Sequence, residues 1–135
     1  MYTTQIWKGT NMNLEQFKKE LITWELVMVD VWASWCKPCM MMLPIIHKLE
    51  KEYGGAIKVV KVNVDDSQDV AQYYNVQSIP TIIFFLEGKE VLTIVGTTSE
   101  SSLRSAIEKL IPKIKEEPID EFSNKMQWLS MDKVD

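Results

Sequence analysis

Val27-Met28-Val29-Asp30-Val31 has a single polar side chain and runs directly into Trp32-Ala33-Ser34-Trp35-Cys36-Lys37-Pro38-Cys39. A near-continuous apolar run is what a strand buried on both faces requires, because a strand with one wet face alternates. Beyond Cys39 the period changes. Met42, Ile45, Ile46 and Leu49 fall at i, i+3, i+4 and i+7, one helical stripe, while Lys48, Glu50, Lys51 and Glu52 take the other positions. Two cysteines therefore stand where a strand ends and a helix begins.

Unpaired N–H groups and the dipole at a helix start favour negative charge, and a thiolate is such a charge. Cys36 is accordingly expected to be the more acidic and more nucleophilic sulfur. Cys39 lies about one turn further on the same face, close enough to bond with it. Pro38 sets φ in the first turn and lacks an N–H that no helical bond would use.

The stretch from Val29 to Pro44, with Ile79-Pro80-Thr81, Gly88 and Gly96 downstream, closely resembles the thioredoxin family, over roughly residues 4–112. The resemblance implies an α/β thioredoxin fold, a central mixed sheet of about five strands flanked by about four helices, plus a C-terminal extension. It implies a protein dithiol–disulfide oxidoreductase without a cofactor, in which Cys36 attacks a protein disulfide and Cys39 resolves the mixed disulfide. Asp30, six residues before Cys36, matches an aspartate that assists the buried thiol. Lys61 matches a lysine near that aspartate, and Pro80 a cis proline packed against the cysteines. Trp35, Lys37, Pro38, Ile79, Pro80 and Gly96 are implied to meet the substrate, with Ile79 offering backbone hydrogen bonds. The implied partners are disulfide-containing client proteins and a thioredoxin reductase or equivalent electron donor, the protein itself acting as a monomer. Two departures stand out: Lys37 replaces the family's usual glycine, and Met40 a frequent lysine or arginine.

The residues alone leave some of these roles open. Asp30 reads either as a strand-end carboxylate that reaches water or as a buried carboxyl with a raised pKa behind the cysteines. Lys61 reads either as a snorkelling surface lysine or as the partner of that aspartate. Zinc usually takes four ligands, and the single histidine, His47, is eight residues beyond Cys39, so no metal is expected and His47 reads as a helix-surface residue. Met40-Met41-Met42 could offer thioethers to Cu(I), but methionine more often serves as adaptable packing.

A length of 135 residues with 46% hydrophobic content suits one domain, read as residues 1–112 with an acidic extension over 113–135. The net charge of −4 argues against a nucleic-acid surface. With no basic-then-apolar start and no run long enough for a bilayer, the expected protein is soluble, cytoplasmic and not membrane-bound. Two cysteines in such a setting read as a reactive pair rather than a structural staple. Oxidase or isomerase work would suit an exporting compartment, and a binding module recruited through the extension is the alternative from another class.

Elsewhere, Thr4–Lys8 reads as a weak first strand. Asn13 with Gln16 reads as a capped helix start before Leu14, Phe17 and Leu21. The cysteine helix is expected from about Cys36 to Tyr53, bent at Pro44 and stopped at Gly54-Gly55. Ile57–Val64 and Ile82–Leu86 read as strands, Val70, Ala71 and Tyr74 as a short helix between them. Glu87-Gly88-Lys89 turns into a hairpin strand, Val91–Val95. Ser99 is placed to cap a last helix carrying Leu103, Ile107, Leu110 and Ile114. From Lys115 on, three lysines and six acids leave a net −3. There Pro118 is expected to start another helix with Ile119, Phe122, Met126 and Leu129 on one face, packed on the domain or a symmetry mate, bound to a partner, or disordered.

Overall fold

The structure, a computed structural model, describes residues 12–121, with side chains as far as Pro112. The described elements are α1 (Leu14–Leu21), β1 (Leu26–Trp32), α2 (Lys37–Glu52), β2 (Lys58–Asn63), α3 (Gln68–Tyr73), β3 (Thr81–Leu86), β4 (Lys89–Val95) and α4 (Glu100–Glu121). The described strands form one sheet in the order β2-β1-β3-β4. β1 is parallel to β2 and antiparallel to β3, and β3 is antiparallel to β4, so the sheet is mixed. The strand expected at Thr4–Lys8 lies outside the described residues.

β1 lies between β2 and β3, and all seven of its residues are buried, which is why its sequence cannot alternate. Successive side chains still point to opposite faces. Val27, Val29 and Val31 join Phe17 and Leu21 of α1, Val70 of α3, and Val60, Val62, Ile83 and Phe85 in one apolar core. Asp30 points the other way, toward the face that receives α2.

Local chemistry explains the boundaries. Asn13 Oδ1 accepts from the Gln16 N–H at 2.8 Å and Gln16 Oε1 accepts from the Asn13 N–H at 2.9 Å, the reciprocal cap expected of that pair. α2 continues through Pro44, ends at Glu52 with Tyr53 as its C-cap, and is followed by Gly55 with φ +99. Glu87 and Gly88, at φ 51 and 85, form the two-residue turn of the β3–β4 hairpin, whose positive φ values match the twist of the strands.

The chain divides after Glu100 into two units. Within the second, Leu103, Ile107 and Leu110 are buried at helical spacing, while Ile114 lies beyond the described side chains. The backbone is helical without a break from Glu100 to Glu121, so Pro118 lies inside α4 and does not open a new helix. Phe122, Met126 and Leu129 fall outside the described residues.

Candidate active site

The Ala33 carbonyl accepts the Cys36 N–H at 3.1 Å as the chain leaves β1, turning it back into α2. Cys36 is the N-cap of that helix, Lys37 opens it, and a proline occupies its first turn. The Cys36 and Cys39 Cα atoms are 5.3 Å apart and their sulfurs are bonded. The Cys39 backbone N–H also donates to Cys36 Sγ at 3.2 Å. One of the orphan donors of the helix start is thus aimed at the outer sulfur, where it favours negative charge on that atom. Cys36 is 5% exposed and Cys39 1%.

The rim comes from three other stretches. Trp35 is 68% exposed, and its indole N–H donates to Asp65 Oδ2 at 2.9 Å, just past the end of β2. Asp65 is not among the site residues that the resemblance implied. A carboxylate after a strand carries no local sign that a tryptophan thirty residues earlier will bond to it. Ile79 packs against Trp32, Ala33, Cys36 and Cys39. The Ile79–Pro80 bond is cis, as the resemblance implied, and the buried Pro80 accepts the Gly96 N–H on its carbonyl at 2.8 Å. That bond fixes the Ile79-Pro80 loop beside Gly96, whose φ of +94 suits glycine and whose Cβ direction is open. Lys37, Pro38, Met40 and Met41 are exposed, and Met42 joins the core.

Behind β1 and β2 the sheet buries charge. Asp30 and Lys61 are paired in the parallel register of β1 and β2, and each is 1% exposed. The snorkelling reading of Lys61 and the water-reaching reading of Asp30 are therefore both corrected: these side chains are inside. Burial drives the Asp30 pKa up from 3.8 to about 7, with the Lys61 charge pulling the other way. Asp30 Oδ2 is buried and makes no hydrogen bond among the described residues.

The third charge in this layer was assigned to the wet side of α2. Glu50 is instead 8% exposed, and its Oε1 lies 3.4 Å from Lys61 Nζ. The helical stripe is wider than the apolar residues alone suggested: Cys39, Met42, Ile46, Leu49 and Glu50 are buried, whereas Ile45 is only partly covered. Glu50 follows Cys39 by eleven residues, close to three turns at 3.6 residues each, which brings both to one side. His47 is half-buried rather than a free surface residue, and desolvation and the Lys61 charge hold its pKa below the usual value.

The thioredoxin family model matches residues 8–109. The chain belongs to the thioredoxin family. It is 44% identical over 96 residues to the thioredoxin of Porphyra purpurea, covering 70% of this chain and 90% of that one. It is 41% identical over 104 residues to the thioredoxin of Rickettsia felis, covering 76% and 99% respectively. Among solved structures, mitochondrial thioredoxin 3 of Saccharomyces cerevisiae in its oxidised form superposes with a TM-score of 0.70 at 30% identity, covering 78% of this chain and 98% of that one.

As a thioredoxin-family member with its cysteine pair at bonding distance, the chain is a protein dithiol–disulfide oxidoreductase, a protein-disulfide reductase. Its partners are of that general kind, disulfide substrates and a reductase that returns electrons. No described helix is long and apolar enough to cross a membrane.

Proposed function

We propose that Cys36 is the attacking thiolate and Cys39 the resolving thiol in the reduction of protein disulfides. Cys36 Sγ attacks one sulfur of the client disulfide, and the client's other sulfur leaves as a thiolate that takes up a proton. Cys39 then gives its proton to the Asp30 carboxylate and attacks Cys36 Sγ. This forms the Cys36–Cys39 bond and expels the client's second sulfur, so two electrons have passed to the client. The observation that carries the assignment is the Cys39 N–H aimed at Cys36 Sγ at the helix N-cap, which stabilises charge on Cys36 and not on Cys39.

Asp30 acts as base for Cys39, supported by its burial and by a pKa near neutrality, where it can both accept and release the proton. Lys61, its register partner, limits the rise. Trp35, Lys37, Pro38, Ile79, Pro80 and Gly96 form the client-facing rim, supported by the exposure of Trp35 and the bond joining Pro80 to Gly96. The working unit is a monomer, since one chain supplies every residue of this site. Residues 1–112 act as the redox domain, with 113–135 as an extension. The site belongs in a reducing compartment such as the cytoplasm, a reading supported by the commitment of both cysteines to the redox pair.

Insulin-disulfide reduction with dithiothreitol tests the assignment. Turnover vanishes in Cys36→Ser, whereas Cys39→Ser accumulates a covalent mixed disulfide with the client. A mixed disulfide trapped by Cys36→Ser instead would reverse the two roles.

A further inference from the structure

A lysine ammonium withdrawn from water needs a counter-charge within reach, and Lys61 has two carboxylates to choose from. Asp30 lies beside it in strand register, while Glu50 reaches over from α2 to within 3.4 Å of Nζ. The ion pair with Glu50 already neutralises the lysine. With Asp30 protonated the buried cluster is neutral overall, and with Asp30 ionised it carries one uncompensated negative charge. Replacing Glu50 by a neutral residue inverts that count: the ionised form of Asp30 becomes the balanced one.

We propose that Glu50 is a positioning residue of the redox site, which holds the Lys61 ammonium and thereby sets how tightly Asp30 keeps the proton it takes from Cys39. This rests on the reading of Asp30 as the base. The other groups facing the cluster do not supply the same control. Cys39 is the proton donor itself, and β3 sets Ile82 beside Asp30. His47, on the margin of α2, feels both Lys61 and Glu50 but is held toward its neutral form. α1 and α3 contribute to the core on the opposite face of the sheet.

The test is a carboxyl carbon NMR titration of the oxidised full-length chain, run alongside the pH profile of insulin turnover. Asp30→Asn identifies the Asp30 resonance by removing it. Glu50→Gln is expected to lower its midpoint by roughly one unit, with the turnover profile moving the same way. In a Lys61→Met background the same substitution moves the midpoint far less, because Glu50 acts through the lysine. Should Glu50→Gln fail to fold, Glu50→Asp withdraws the charge by one methylene and gives a smaller shift of the same sign. An unchanged or raised midpoint in whichever Glu50 variant folds overturns the role of Glu50 while leaving Asp30 as base. A turnover profile indifferent to Asp30→Asn overturns the base reading itself.

Discussion

Both faces of the central sheet bury apolar side chains, but only one of them also buries charge. Val27, Val29 and Val31 of β1 look onto an apolar core with Phe17, Val62 and Phe85. One residue out of phase, Asp30 is buried in register with Lys61, whose ammonium meets Glu50, so three ionisable groups are withdrawn from water on the other side. The first face gains from every methylene that it removes from water. The second gives up part of that gain to hold Asp30, Lys61 and Glu50 away from water, and the fold can carry this loss because the other face does not share it. Stability and reactivity are thus divided across one layer of backbone.

The largest expected effect is at the cysteines: Cys36→Ser lowers client-disulfide reduction to the solution background in an insulin assay. Phe85→Ala, on the apolar side, is expected to cost roughly 3–5 kcal/mol in urea unfolding, by the same amount at pH 5 and pH 8. Asp30→Asn should do the reverse. The folded chain holds the Asp30 proton up to about pH 7 but the unfolded chain releases it near 3.8. The stability linked to this proton therefore falls as pH rises between those values, and that contribution is gone above the upper one. A gap of about three units at 1.36 kcal/mol each makes the asparagine variant about 4 kcal/mol more stable at pH 8, with the gain fading toward pH 4. A pH-independent difference in urea midpoint would erase the contrast between the faces.

The smallest effect belongs to the rim. Lys37 is exposed beside Cys36, and a cation there favours the thiolate by about 0.2–1 kcal/mol. Lys37→Gly is expected to make the couple slightly more reducing in a glutathione redox titration. An unchanged or more oxidising potential would mean that the lysine charge is not felt at the sulfur.

Much of this was legible in the sequence where one residue type serves one local purpose. The uninterrupted β1 run, the Asn13–Gln16 cap and the cysteines at a strand-to-helix junction each carry their cause in a window of a few residues. The Glu87-Gly88 turn does so as well. The buried charges were harder. Asp30 and Lys61 each allowed two readings, because their partnership is made by strand register across thirty-one residues and not by proximity in sequence. Glu50 was misassigned for a related reason: among Lys48, Lys51 and Glu52 it looks like part of a solvated face, and only the position of Lys61 reveals why a glutamate turns inward there. The same lysine reaches His47, whose partial burial no sequence feature announced. Past Pro112, Pro118 suggested a new helix start that the continuous backbone of α4 does not have.

The amide that meets Cys36 Sγ while the sulfurs are joined will still be pointing at that atom once the bond opens and electrons arrive. A donor fixed in advance by the first turn of α2 spares the site the rearrangement that solvent would need to greet a new anion. Cycling between the two oxidation states then asks little of the polypeptide, which suits a carrier that must be ready for a different client after every exchange.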